Sequence, residues 1–349
     1  MIGGGEAAPP GDRMDNRVLL PPVTGAPERP PSDLIWSLGG ATMGTTWSAR
    51  VIPSPGTDRQ AITEAVQDEL DAIVAVFSPW DPTSEISRFN AAPAGAWALS
   101  TPLWSLLDAA MDLADDTNGA VDPTLGALVD LWGFGPPGPR EVAAPLPSDE
   151  EIEAALKVSG WQGLRLNREA RAAFQIDGGV RLDFSAIAKG HAVDRVSDRL
   201  TALGATSHLI EIGGELRGVG VKPDAQPWWV EIEQPEGGPA PRTVAALFDL
   251  AVATSGDYRR AFVHGDRLYP HTIDGRTGRP VENGLASVTV FHASAMKADA
   301  FSTALTVMGP LEGPEFAEAM GLAAHFVERT PRGLVEHMTP AYAAMMDGE

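Results

Sequence analysis

The chain has no cysteine among its 349 residues. Disulfides, thiolate catalysis, zinc–thiolate sites, iron–sulfur clusters and S-linked lipid anchors are therefore excluded from it. Basic residues are scarce: Lys and Arg total 26 against 47 Asp and Glu, a net charge of -21. Such a surface repels nucleic acids and anionic membranes at long range, so no nucleic-acid partner is expected. A small phosphorylated ligand stays open, because a metal ion can neutralise it locally. Aromatic residues make up 7% and are not interleaved with basic ones, which gives no stacking platform for single strands. No apolar run reaches 18 residues, so no transmembrane segment is expected. The phosphate loops GxxxxGK[ST] and GxGxxG, the HExxH helix and the GxSxG elbow are all missing, and the seven histidines show no metal-ligand spacing.

What is present is a chain long enough for one large domain or two ordinary ones, with 44% hydrophobic residues. Residues 1–34 are rich in Pro and Gly and read as a flexible or extended arm. They lack the basic start and apolar stretch of a signal peptide. The sequence as written predicts a cytoplasmic protein, with a periplasmic one as the alternative if a leader has been removed.

Beyond the arm, "WSLGGATMGTTWSARVIP" reads as strand, Gly-rich turn, strand. Ile62, Val66, Leu70, Ile73, Val74 and Phe77 recur at helical spacing over 58–77. A helix is predicted from Pro102 to Thr117, stopped by Asn118–Gly119, and another behind the capping box of Ser148 and Glu151. "LRLN" and "AAFQIDGGVRLDF" read as strands, the latter two joined by Asp-Gly-Gly. "SAIAKGHAVDRVSDRLTALG" is helical, and "HLIEIGGELRGVG", "WWVEIEQ" and "TVAALFDLAVATSG" are strands broken by glycines. "ASAMKADAFSTALTVMG" is the last long helix, followed by strands in "AHFVER" and "GLVEHMTPAY". Strands in runs with helices interspersed irregularly indicate an α+β fold with mixed or antiparallel sheets.

Polar residues in small-residue contexts are the site candidates. Asp299 and Thr303 stand four apart in an apolar helix, so both oxygens share one face. Asp183 and Lys189 flank Ser-Ala-Ile-Ala, and Gly213–Gly214 end a strand. Ser255, His271 and Asp274 fall near turns. Each also has a bland reading. Asp299 caps a helix or is solvated, Thr303 bonds its own backbone, and the glycines form a bulge. Lys189 near a helix start opposes the dipole, which points to an anionic partner. From spacing alone, hard oxygen ligands for Mg²⁺ and a purely structural role both remain open.

Eight segments in order resemble one family, the FAD:protein FMN transferases, or ApbE family of flavin transferases. They are "GATMGTTWSARV", "FSPWDPTSEISRFN", "GAVDPTLGALVDLWGFG", "LDFSAIAKGHAVD", "IEIGGELRGVG", "ATSGDYRRAF", "HTIDGRTGRPV" and "KADAFSTALTVMG". The resemblance implies an ApbE-like α+β fold, with residues 35–349 as one flavin transferase domain. It implies Mg²⁺-dependent transfer of FMN from FAD to a Thr or Ser hydroxyl of an acceptor protein, with release of AMP. Met43, Trp80, Ala120, Val121, Asp122, Asp183, Lys189 and Ile273 match FAD-contacting positions. Trp80 replaces a common Tyr and Val121 a common Phe. Ala186, through its backbone carbonyl, Asp299 and Thr303 match the metal ligands. Gly275 stands where the family usually has Pro. Within that reaction His271 is the candidate base, since its unperturbed pKa lies near neutrality, and Asp274 is its candidate orienting group. An FAD pyrophosphatase or a flavin-binding carrier would share most of these residues.

Overall fold

The computed structural model describes residues 16–21, 27–140, 144–235 and 242–347. The strands begin with β1 (Asn16–Leu19), β2 (Trp36–Thr42), β3 (Thr45–Ile52), β4 (Gly95–Ala98), β5 (Leu164–Asn167) and β6 (Ala172–Gln175). The middle set is β7 (Ser207–Ile212), β8 (Glu215–Val219), β9 (Trp228–Glu231), β10 (Arg242–Leu247), β11 (Leu250–Gly256) and β12 (Ala261–His264). The last are β13 (Arg267–Pro270), β14 (Ile273–Asp274), β15 (Arg279–Pro280), β16 (Leu285–His292), β17 (Ala323–Thr330) and β18 (Gly333–Met338). The first helices are α1 (Arg59–Phe77), α2 (Glu85–Asn90), α3 (Thr101–Asp116) and α4 (Gly126–Leu131). They are followed by α5 (Asp149–Lys157), α6 (Ala188–Ala202), α7 (Ala295–Ala319) and α8 (Pro340–Asp347).

Eight strands form one antiparallel sheet in the order β18-β17-β16-β11-β8-β7-β3-β2. A second, mixed sheet pairs β1 in parallel with β10, and β10 antiparallel with β9. The fold is thus α+β with mixed and antiparallel sheets, as the sequence indicates. Both faces of the large sheet are covered, which explains why its central strands read as near-continuous apolar runs. Successive side chains point to opposite faces. On β7, Ile210 and Ile212 join the core under α1, α6 and α7, while Leu209 joins the core under β9 and β10. On β11, Ala251 takes the first side and Val252 the second. Burying each such Leu or Ile contributes about 1.5–3 kcal/mol.

Caps fix where the helices start. Asp58 accepts from the Gln60 amide at the head of α1, and Ser148 and Glu151 form the expected capping box of α5. The apolar stripe of α1 is buried at Ile62, Val66, Leu70, Ile73 and Phe77, with Val74 half-buried. A separate apolar cluster of Leu125, Leu128, Trp132, Ile152, Tyr269 and Ile273 ties α4 and α5 to β13 and β14. Trp132 stacks on Tyr269 at 5.9 Å and donates to the Gly278 carbonyl at 2.8 Å. This cluster holds residues 271–274 in place. No helix among the described residues is long and apolar enough to cross a membrane.

Four expectations need correction. Within the arm, Asn16–Leu19 is a strand rather than flexible chain, fixed by β10 and by a two-pronged Arg17–Glu336 ion pair at 2.7 and 3.0 Å; residues 1–15 and 22–26 lie outside the described set. "VRLDF" buries Val180, Leu182 and Phe184 but is not a strand. The Leu182 amide and carbonyl instead bond the side chain of Asn90, and the Asp183 amide donates to the Pro123 carbonyl. "GLVEHMTPAY" is a strand only to Met338; Thr339 then starts α8, accepting from the Tyr342 amide at 3.3 Å. The last long helix runs on past Gly309 to Ala319, across a kink.

Candidate functional site

Several chain reversals gather at one end of the large sheet. The β2–β3 turn carries Met43 and Gly44 at φ 48° and 71°. Pairing of Trp47 with Ile212 sets this turn beside Gly213–Gly214, the β7–β8 turn, at φ 61° and 102°. Strand β11, antiparallel to β8, ends at the same edge with Ser255 and Gly256. Methionine in the left-handed region stores of order 1–2 kcal/mol, a feature that clusters at functional sites.

Helices α6 and α7 close on this edge. A Cβ on Gly190 would lie 2.2 Å from the Ala295 carbonyl oxygen and 2.8 Å from Asp299 Cβ, so only glycine allows the approach. At that contact the Gly190 amide donates to Asp299 Oδ2 at 2.9 Å. In a regular helix that amide would serve the Ala186 carbonyl four residues earlier. The carboxylate has taken the donor, and the Ala186 carbonyl accepts no hydrogen bond among the described residues. Asp299 Oδ1 is likewise without a hydrogen-bond donor among them. One turn along α7, Thr303 Oγ1 lies 3.3 Å from Ser255 Oγ, which also meets Ser302 Oγ at 2.8 Å. A carboxylate oxygen and a hydroxyl, one turn apart on α7, thus lie at the contact with α6, whose start follows the Ala186 carbonyl. Among the described residues no cluster of three or more His, Asp or Glu exists that could bind a metal by itself. The set present is all hard oxygen, which fits Mg²⁺, an ion that fills its remaining positions with water and phosphate.

The electrostatics agree with a site built for charge. Burial pushes the Asp299 carboxyl above the ordinary range, while Lys189 and the Gly190 amide pull it back. Burial would lower the Lys189 ammonium, but the carboxylates of Glu215 and Asp299 outweigh it and raise its pKa. Lys189 Nζ lies 2.5 Å from Glu215 Oε1. Burial pushes His271 down to about 4, helped by Arg260, Lys189 and Arg259, so its imidazole is neutral at pH 7. Its Nδ1 donates to the Arg260 carbonyl at 3.0 Å, which leaves Nε2 a lone pair with no donor among the described residues.

The remaining positions divide into those near this centre and those used structurally. Asp183 accepts from the Ser185 amide at 2.8 Å and, through its own amide, ties residues 120–124 to the start of α6. Ala120, Val121 and Ile273 are buried in the apolar clusters, so their side chains pack while only backbone remains to meet a ligand. Asp122 accepts from the Thr124 amide and hydroxyl and from the Trp161 amide, a fully engaged carboxylate whose pKa burial nonetheless raises. Trp80 sits on the loop after α1 with 54% of its surface exposed. Asp274 does not orient His271. Its oxygens bond Arg276 at 2.9 and 3.0 Å, and the group fixing His271 is the Arg260 carbonyl. Sequence reasoning passed over Glu215 and Arg259, although both lie inside the motifs "IEIGGELRGVG" and "ATSGDYRRAF". A glutamate directly after a Gly-Gly turn was the available signal.

Residues 43–326 match the ApbE family. A curated relative from Vibrio cholerae, named FAD:protein FMN transferase, is 36% identical over 87% of this chain and 91% of its own length. One of the same name from Escherichia coli K12 is 32% identical over 89% of each. The crystal structure of the apo flavinyl transferase ApbE of Pseudomonas stutzeri superposes with a TM-score of 0.83 at 39% identity, covering 91% of this chain and 98% of that one. The ApbE protein of Thermotoga maritima gives 0.80 at 30% identity, over 90% and 99%. This chain belongs to the ApbE family.

Proposed function

We propose that the protein is an FAD:protein FMN transferase, a transferase that moves FMN from FAD to a Thr or Ser hydroxyl of an acceptor protein and releases AMP. The observation that carries this reading is the contact of α6 with α7, where Asp299 takes the Gly190 amide and the Ala186 carbonyl is left without a donor among the described residues, next to Lys189, whose charge also acts on His271, in a chain with the relatives described above. Ala186, Asp299 and Thr303 would hold Mg²⁺, which when bound neutralises negative charge on phosphate oxygens. Lys189 supplies a fixed positive charge for the diphosphate. His271 Nε2 takes the proton as the acceptor oxygen bonds to phosphorus and the bond to AMP breaks. Trp80 offers a face on which a flavin can stack. No side chain of this protein needs to act as nucleophile, because the acceptor brings its own.

The test is incubation with FAD, Mg²⁺ and an acceptor protein bearing a candidate Thr. The expected result is an acceptor heavier by one FMN unit, with an equal amount of AMP. Free FMN beside an unmodified acceptor would make the protein a hydrolase instead, and intact FAD a carrier.

A further inference from the structure

Two cations approach one buried carboxylate at the β7–β8 turn. Glu215 is 1% exposed in its side chain; its Oε1 lies 2.5 Å from Lys189 Nζ and 3.9 Å from Arg259 Nη1. Its Oε2 is buried and has no hydrogen-bond partner among the described residues. Both cations therefore face the same oxygen, and the second oxygen stands open. Arg259 is otherwise held by the Gly213 carbonyl at 3.2 Å and by Glu233, and its buried Nε also has no partner among the described residues. The glycines make room for this. A Cβ on Gly214 would lie 2.6 Å from Arg259 Nη1, and one on Gly213 would lie 3.3 Å from Lys189 Cδ. Lys189 is the more accessible cation, with 33% of its side chain exposed against 18% for Arg259.

A lysine locked to a buried glutamate cannot serve a diphosphate without stranding that glutamate, and an unpaired buried charge is strongly destabilising. Resting on the FAD reading above, we propose that Arg259 and Glu215 are positioning residues that make Lys189 exchangeable. As the diphosphate binds, Lys189 Nζ turns from Glu215 to the phosphate oxygens, and the Arg259 guanidinium closes onto Glu215 and fills its open oxygen. No bond forms or breaks, and no proton moves. The diphosphate adds the negative charge that Lys189 then faces.

The experiment measures Kd for FAD and for riboflavin, which has the same ring system without phosphates, by fluorescence quenching. For Arg259→Gln the expected result is FAD affinity weakened about tenfold or more with riboflavin affinity unchanged. Arg259→Lys, which keeps the charge, should stay within about threefold of wild type. In a Glu215→Gln background there is no carboxylate to strand, so adding Arg259→Gln should cost nothing further. Equal loss for both ligands, no loss for FAD, an Arg259→Lys as weak as Arg259→Gln, or strict additivity in the double variant would each overturn the exchange. Wild-type protein that fails to bind FAD would instead sink the functional reading beneath it.

Discussion

Gly190 shows how one missing side chain builds the site. Alanine is favoured over glycine inside a helix by about 1 kcal/mol, so Gly190→Ala should stabilise α6 if nothing opposed it. Its Cβ would meet the Ala295 carbonyl at 2.2 Å, against backbone that cannot swing away. The clash wins. Gly190→Ala is expected to lower stability by about 1–3 kcal/mol in urea unfolding and to part the Gly190 amide from Asp299. A variant as stable as wild type would mean that α6 and α7 are free to slide. His271 gives a second prediction at this scale. With its pKa pushed down to about 4, it is already the neutral base at neutral pH. At saturating Mg²⁺, which would hold the Asp299 carboxyl ionised, the acid limb of kcat/KM for transfer should therefore fall away near pH 4 rather than near 6.5, and His271→Ala should lower the rate about 10²–10⁴-fold with FAD affinity unchanged. An acid limb centred at 6.5, or full activity of the alanine variant, removes His271 as the base.

At the scale of elements, α7 is the instructive case. Gly309 takes φ 81°, and Pro310 has no amide to offer the Thr306 carbonyl four residues back. The side chain of Asn283 supplies that donor at 2.7 Å, and Arg276 Nη2 serves the Val307 carbonyl at 3.2 Å. The kink is thus satisfied from either side of β15, by Arg276 before it and Asn283 after it, which binds the middle of α7 to the chain that follows His271. Asn283→Ala would leave the buried turn short of a donor and also release the Leu285 amide. A loss of about 2 kcal/mol in urea unfolding is expected; no change would mean that water replaces Asn283 there. This element also shows what was legible in sequence and what was not. The i, i+4 pair of Asp299 and Thr303 and the stripe of α1 are periodic signals, and they survive because burial follows periodicity. "VRLDF" carries a strand-like alternation and does bury its apolar residues, but its hydrogen bonds go to Asn90, a partner no local pattern announces. The engagement of Asp274 by Arg276 is local and could have been read from "IDGRTG" as a turn held by its own aspartate. The pairing of Lys189 with Glu215, 26 residues apart and on different elements, needed the fold.

Across the whole molecule the first described strand, β1, is fastened to the last elements, β18 and α8. Arg17 on β1 pairs with Glu336 on β18, Glu336 meets His325 at 2.8 Å, and His325 stacks on Tyr342 of α8. Histidines inside this fold also set how it meets acid. His208 is fully buried, donates from Nδ1 to the Ala205 carbonyl at 2.8 Å and accepts at Nε2 from Ser197 at 2.8 Å. Burial pushes its pKa down to about 4, with Arg217 adding to the shift and the Ala205 bond and Asp249 opposing it. A depressed folded-state pKa means that the unfolded chain binds the proton first. The stabilisation is complete above about pH 6.5 and is lost as pH falls toward 4, about 3 kcal/mol over that window. Burial-raised carboxyls such as Asp122 and Glu211 act in the opposite sense, so the raw stability curve mixes both signs. The contribution of His208 is isolated by comparison with His208→Asn, which has no imidazole to protonate. The variant should be less stable at pH 7.5 through its lost bond to Ser197, yet lose less on moving to pH 5, so that the two unfolding free energies converge. Parallel curves across pH 5–7.5 would show that His208 takes its proton in the folded protein as readily as in the unfolded chain, and that acid enters this core by another group.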